Sequence, residues 1–409
     1  MERGLNKIYK LIKSKLLIDG TGGEVIDAGQ ILIKDGVIEK TGSPGEMGDI
    51  PENAEVVDLS DYYILPGLID SHTHLSIVPG EGNQLEQMRL PAGKGILRSI
   101  PNIYKNIKSG VTTARIMGEE NYIDIDIKEA IEQKLIQGPR LLVSGRGVVA
   151  TNGHGVAHTV ADGPDEVRKL CRQNLARGAD LIKIFVTGGV SSRNSTLDFC
   201  GYTLEEVAAA VEEAERAGTY VAAHAHGGRG ADLCIQQGVR SIEHGAFINE
   251  EQLESIIKKD MWIVGTFTIL FHPEGIEKTD FNVPQIREKV LSVRETVAKN
   301  FERIIKSGAN LAIGTDSMHG FIGFEMECLV DFGASNMEAI LAATRNAARA
   351  CRVEDKLGTL ETGKLADFIA LAGNPLEDIK HIRKVEFVFK EGEMVNIEGI
   401  GFDKTTSGY

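Results

Sequence analysis

Thr203-Leu204-Glu205-Glu206-Val207-Ala208-Ala209-Ala210-Val211-Glu212-Glu213-Ala214-Glu215-Arg216-Ala217-Gly218-Thr219-Tyr220-Val221-Ala222-Ala223-His224 contains a helix, its stop and the strand that follows. Thr203 and Glu206, three residues apart, form a capping-box pattern. Leu204, Val207, Ala208 and Val211 recur at helical spacing, and Gly218 ends the run. A strand then begins at Thr219 and ends by presenting His224. Helix, glycine and strand follow in the same order at Asp165 to Gly178, Arg229 to Gly238 and Glu288 to Gly308. This is the rhythm of a parallel sheet whose faces are covered by helices.

Short apolar, β-branched runs at Tyr62 to Asp70, Val111 to Ile116, Arg140 to Ser144, Leu181 to Thr187, Thr219 to Ala223, Val239 to Glu243, Trp262 to Thr266 and Leu311 to Thr315 are the predicted strands. Eight of them in about 250 to 300 residues match an α/β fold of the (β/α)8 TIM-barrel type. An open, doubly wound sheet is the competing fold. It is disfavoured because no Gly-x-Gly-x-x-Gly turn follows the first strand and because candidate site residues come from the whole series of strands. From about Ile8 to Val57 the pattern is of short strands with turns at Asp19-Gly20, Gly22-Gly23 and Asp35-Gly36. Phe368 to Gly392 reads as strands around Gly373-Asn374-Pro375. The two ends are expected to meet in one small β domain beside the barrel, with two separate caps as the alternative. The predicted division is residues 1–65 and 358–409 for that domain and 66–357 for the barrel.

The formal net charge of −14 on 409 residues argues against a nucleic-acid surface. Five scattered cysteines without a Cys-x-x-Cys spacing suggest neither a disulfide framework nor a thiolate zinc site, and point to a reducing cytoplasm. No long uncharged apolar stretch is present, and charges interrupt Met1 to Lys15, so neither a membrane span nor a signal-peptide core is expected.

Candidate metal ligands fall on the predicted strands. His72 and His74 end the first, and alternate residues of a strand point to one side, so both rings can reach one ion. His224 ends the fifth strand, His244 the sixth and Asp316 the eighth, at the C-terminal edge where barrel enzymes build their sites. Lys183 lies inside the fourth. An ammonium in an apolar strand is costly unless paired or altered. Beside two dications a neutral lysine amine can take up carbon dioxide and become a carbamate, a bridging carboxylate. The plainer alternative for Lys183 is an ion pair with Asp180 or Asp316.

The chain resembles the amidohydrolase superfamily, in the branch of imidazolonepropionase-like proteins and prolidase-like dipeptidases and carboxypeptidases. The resemblance rests on Pro66-Gly67-Leu68-Ile69-Asp70-Ser71-His72-Thr73-His74, Gly110-Val111-Thr112-Thr113-Ala114-Arg115, Ile182-Lys183 with Gly188-Gly189-Val190, Ala223-His224-Ala225-His226-Gly227, Ile242-Glu243-His244, Gly314-Thr315-Asp316 and Gly363-Lys364-Leu365-Ala366-Asp367. It implies a β-sandwich built from both termini and two divalent metal ions, usually Zn2+. His72, His74 and Asp316 would hold one ion, His224 and His244 the other, and Lys183, as N6-carboxylysine, both.

The expected activity is hydrolysis of an amide or peptide bond in a small substrate bearing a carboxylate, such as a dipeptide or N-acyl amino acid, by a metal-bridged hydroxide. Asp316 would move the proton from water to the leaving nitrogen. His154 is the candidate for polarising the substrate carbonyl or holding a carboxylate. His226, where several relatives carry a tyrosine, and Arg193, in the polar loop Ser191 to Ser195, are further substrate-binding candidates. Arg115 either faces the pocket or holds the barrel together. His272, His319 and His381 are expected at the surface. The loops Ile77 to Pro91 and Phe267 to Val283 are expected to shape the pocket, and the protein to be a homo-oligomer. A mononuclear deaminase or cyclic-amidine hydrolase is less favoured, because Gly227 stands where such deaminases carry a glutamate. An inactive scaffold is less favoured still, because all six ligand positions hold ligand-capable residues.

Overall fold

The computed structural model describes all residues except 1–7, 82, 158, 190–195, 198, 276–283 and 398–409. Arg193 and its loop therefore lie outside the described residues. The chain opens with β1 (Tyr9–Leu17), β2 (Ile26–Asp27), β3 (Gln30–Lys34), β4 (Val37–Gly42) and β5 (Glu55–Pro66). The central region carries β6 (Leu68–Thr73), β7 (Val111–Ile116), β8 (Arg140–Val143), β9 (Val148–Val149), β10 (Ile182–Phe185), β11 (Val221–Gly227), β12 (Ser241–Phe247), β13 (Trp262–Gly265) and β14 (Asn310–Ile313). The chain closes with β15 (Phe368–Leu371), β16 (Val385–Lys390) and β17 (Glu393–Met394).

The two ends share one sheet, in which β5 pairs in parallel with β1 and antiparallel with β15. Separate terminal caps are thereby excluded. Asp35 and Gly36, both at positive φ (51° and 82°), make the tight turn between β3 and β4, where a left-handed backbone matches the twist of the strands. Ile12, Ile31, Ile33, Phe368 and Phe389 form the core of this unit, the two phenylalanine rings stacking at 4.3 Å.

The central strands form two parallel sheets, β6-β7-β8 and β14-β13-β12-β11-β10-β9. Their order never reverses, so the switch point that defines a doubly wound sheet is absent among the described residues. Two sets of hydrogen bonds link the sheets. Asp316 N donates to His72 O and His74 N to Asp316 O, both at 2.7 Å, and Asp180 N donates to Val143 O at 2.7 Å. Helices cover the strands. The helix Leu204–Arg216 starts at the Thr203 capping box, with Thr203 N donating to Glu206 Oε2 at 2.7 Å, and sets Val207, Ala210, Val211 and Ala214 into the core. This is the α/β architecture of a barrel-type domain beside a β-rich one.

Two predictions from the pattern are corrected. Tyr62 to Asp70 is not one strand. It breaks at Gly67, leaving β5 in the terminal sheet and β6 in the central one. Gly67 is required there, because a Cβ would sit 2.2 Å from Thr112 Oγ1. The fifth and sixth strands also run past the histidines expected to end them. His224 and His244 are each fourth in a seven-residue strand, since Ala225–His244 and Gly227–Phe247 pairing continues the ladder.

Candidate active site

The ends of β6 and β14 are laced together by a buried carboxylate. Asp70 accepts Thr315 N at 3.0 Å, Thr315 Oγ1 at 2.6 Å and His72 N at 3.2 Å. Gly314 lets the strands close, since a Cβ there would lie 2.4 Å from His72 N. The result puts His72 Nε2 and His74 Nε2 at 3.5 and 3.6 Å from the same Asp316 oxygen, with the ligand atoms of all three residues within 4.8 Å of one another. This group can hold a metal ion.

His244 continues the cluster from β12 and His224 from β11. Ring centroids lie 4.6 Å apart for His72 and His244, and 4.6 Å for His224 and His244. Lys183, on β10, is fully buried, and its Nζ makes no hydrogen bond among the described residues. The plain ion-pair account of Lys183 fails for Asp180, whose carboxylate is held by Lys128 Nζ at 2.7 and 2.8 Å.

The imidazoles are oriented alike. One nitrogen of each is held: His72 Nδ1 by Glu243 Oε2 at 2.6 Å, His74 Nδ1 by Gly118 O at 3.0 Å, His244 Nδ1 by Thr266 Oγ1 at 2.7 Å, and His224 Nε2 by Gly188 O at 3.0 Å. His72 Nε2 and His224 Nδ1 are buried and make no hydrogen bond among the described residues. An imidazole that donates through one nitrogen offers a lone pair at the other, which is the arrangement of a metal ligand with its outer partner. Burial favours the neutral rings. It holds His72, His224 and His244 well below the usual histidine range and His74 at about 4, with the neighbouring Lys183 adding to the effect. Burial also pulls the Lys183 amine down to about 8, against the attraction of Glu243 and Asp316, and pushes the Asp316 carboxyl up to about 6. The orphaned atoms and the ligand-ready donor set fit bound metal.

In the sequence Glu243 is marked only by its place in a motif. It is fully buried and accepts Arg115 Nη2 at 2.9 and 3.0 Å and the Ser241 hydroxyl as well as His72. Arg115 also donates to Ser71 O at 2.5 Å and Ser241 Oγ at 3.2 Å. Arg115 thus braces the strands from within. The available signal was a charged residue inside a buried strand, next to a candidate ligand. His244 has φ 72° and Asp316 φ 60°, a left-handed backbone uncommon for such residues. At His244 this breaks the strict alternation of the strand, so that consecutive Glu243 and His244 both meet the His72 ring.

His154 is half-buried and lies 4.5 Å from the His224 ring, seated on Gly189, where a Cβ would come within 2.5 Å of its ring. His226 is buried, its ring 4.9 Å from His224 and 5.3 Å from His244. Both line one pocket with His74, His224, His244 and Asp316, and Leu85, Met88, Ile269, Leu270, Val297 and Phe301 give that pocket an apolar wall. The surface assignments need correction. His319 is buried, with Nε2 3.2 Å from Ile77 O, and His272 and His381 are half-buried, His272 packed on Phe321 and Phe324 and His381 bonded to Asn374 O at 2.9 Å.

The model of the Amidohydrolase family matches residues 63–395. The chain belongs to the amidohydrolase family. It is 30% identical to an ochratoxinase from Aspergillus niger over 96% of this chain and 87% of the relative. It is 25% identical to an imidazolonepropionase from Mesorhizobium japonicum over 94% of this chain and 95% of the relative. The crystal structure of a Xaa-Pro dipeptidase with bound methionine in its active site is similar at a TM-score of 0.84 and 32% identity, covering 95% and 99% of the two chains. As an amidohydrolase the chain is an enzyme that hydrolyses carbon–nitrogen bonds. Among the described residues no helix is long and apolar enough to cross a membrane.

Proposed function

We propose that this amidohydrolase cleaves the amide or peptide bond of a small substrate, a dipeptide or N-acyl amino acid, at a binuclear metal centre. The observation that carries the reading is the set of inward-facing atoms just described. His72 Nε2, His224 Nδ1 and Lys183 Nζ are buried without a hydrogen-bond partner among the described residues, beside His74, His244 and Asp316. His72, His74 and Asp316 would hold one ion and His224 and His244 the other. The unpaired Lys183 amine would join the two as N6-carboxylysine, its nitrogen bonding to carbon dioxide with loss of one proton. Bound there, two divalent cations, Zn2+ by the donor set, would make a hydroxide available at neutral pH and polarise a carbonyl.

The chain's own groups do the rest. Asp316, its carboxyl pushed up by burial, accepts the proton of the attacking water and returns it to the leaving nitrogen. His154 would hydrogen-bond the scissile carbonyl or a substrate carboxylate, with His226 as a further substrate contact and Arg193, outside the described residues, kept as a candidate. The apolar wall excludes water and takes an apolar side chain. A 25% identical imidazolonepropionase supports a second reading, opening of a cyclic amide by the same groups.

The same proposal takes the two linked parallel sheets as one closed (β/α)8 barrel over 66–357, and the terminal sheet as a sandwich of 1–65 with 358–409. The proposal also takes the protein as a homo-oligomer that acts on small molecules; the five free thiols support a reducing cytoplasm, and the net charge of −14 speaks against nucleic-acid binding. The test is metal analysis with a screen of dipeptides and N-acyl amino acids against zinc-loaded protein, scored for released amine. Two equivalents of metal and turnover support the proposal, and one equivalent or none overturns it. Turnover confined to lactones or cyclic amides transfers the assignment to the second reading.

A further inference from the structure

The short helix Gln84–Met88 carries two glutamines placed in opposite ways. Gln87 holds the fold: its Oε1 accepts Val78 N at 2.7 Å and Arg98 Nη2 at 2.6 Å, and its Nε2 donates to Val78 O at 3.1 Å. Asn83 caps the helix, accepting Leu85 N and Glu86 N, so Gln84 is not needed for that purpose. Gln84 is 8% exposed, and its Nε2 is buried with no acceptor among the described residues. It lines the pocket that holds His74, His154 and Asp316.

A buried amide nitrogen without an acceptor is unfavourable, and native proteins tolerate few such groups unless something else supplies the acceptor. Leu85 and Met88, from the same helix, line the same pocket and offer apolar surface beside that donor. We propose that Gln84 is a specificity-determining residue. Its carboxamide donates to a carboxylate or carbonyl oxygen on the amino-acid part of the substrate, while Leu85 and Met88 receive that part's apolar side chain. This rests on the amide-hydrolase reading for the identity of the substrate, but its geometry can be tested by binding alone.

The experiment is calorimetric titration of the zinc-loaded full chain with L-methionine, L-methioninamide and 3-(methylthio)propylamine, which share a side chain and amine but differ at the acceptor. Wild type should bind methionine roughly tenfold or more tighter than the propylamine, the worth of one hydrogen bond to a buried donor. Gln84→Ala should lower that preference roughly tenfold, the share of the one hydrogen bond removed, by weakening methionine and not the propylamine. Gln84→Glu should repel methionine yet still bind methioninamide. If methioninamide matches methionine in wild type, the acceptor is the carbonyl common to both. If it binds like the propylamine, the acceptor is the charged carboxylate. No methionine binding, equal wild-type binding of methionine and the propylamine, or a Gln84→Ala loss shared by all three ligands overturns the proposal. Because no turnover is read, a chain that hydrolyses neither dipeptides nor N-acyl amino acids but keeps this binding pattern removes that substrate reading and leaves the Gln84 assignment standing.

Discussion

Replacing Glu243 by glutamine keeps the shape of the side chain and removes its charge. His72 Nδ1 lies 2.6 Å from Glu243 Oε2, and Arg115 Nη2 lies 2.9 and 3.0 Å from the two carboxylate oxygens. The carboxamide of Glu243→Gln has one oxygen and one NH2 group where the carboxylate serves three donors, His72, Arg115 and the Ser241 hydroxyl. If the oxygen stays with Arg115, the NH2 group meets His72 Nδ1, which must then accept. The ring proton moves to Nε2, and the lone pair directed at the metal is lost. If the oxygen turns to His72, the buried Arg115 loses its counterion. Losing the partner of a ligating imidazole costs about 10- to 100-fold in metal affinity, which corresponds to about 1.4 to 2.7 kcal/mol. Breaking a buried ion pair destabilises the fold by about 3 to 5 kcal/mol. Competition with a chromophoric chelator would give the zinc Kd, and thermal melting of the metal-free protein would give the stability. Melting near the wild-type value together with an unchanged zinc Kd would refute the reasoning.

Three further outcomes follow from the structure. Lys183→Ala should lose most bound metal and all turnover, and millimolar acetate should restore part of both by standing in for the missing carboxylate; full metal occupancy in the variant would argue against a bridging lysine. Buried Glu119, which takes Ser76 N at 3.0 Å and Ser76 Oγ at 2.6 Å, has its carboxyl pushed up to about 8 by desolvation. Its folded pKa is raised above the unfolded value near 4.3, so its contribution is fully present below about pH 4 and is lost as pH rises toward 8. Denaturant midpoints between pH 5 and 9 should fall less steeply for Glu119→Gln, which can still accept the Ser76 amide and can donate to its hydroxyl. An unchanged slope would contradict this. Gly314→Ala should push β14 off the His72 backbone and lower both stability and zinc occupancy, because its Cβ would lie 2.4 Å from His72 N. A variant of normal metal content would show that the strands have room to spare.

The parts of this molecule legible in the sequence are those written in local pattern. Capped helices, stop glycines and β-branched runs announce a parallel sheet, because each signal lies within a few residues of the element it controls. The same holds for His72, His74, Lys183, His224, His244 and Asp316, which mark themselves by sitting in or just past apolar strands. Glu243 is harder to read, because its role exists only through His72, 171 residues away, and through Arg115. The break at Gly67 is hidden because both strands it separates are apolar; what divides them is the approach of Thr112. The burial of His319 and the orphaned amide of Gln84 escape the sequence for one reason. Burial of a loop residue is set by what packs over it, and no periodicity records that.

The contact that locks Thr315 to Asp70 joins residues 245 positions apart. At a synthesis rate of roughly 5 to 20 residues per second, about 10 to 50 seconds separate the emergence of the two. Throughout that interval the nascent chain carries His72-Thr73-His74 without Asp316, and β5 without its partner β15. The metal-binding group cannot be completed before Asp316 is made, nor the terminal sheet before β15. The enzyme is therefore expected to take up its metal only after Asp316 has been made and the strand that carries it has docked on β6.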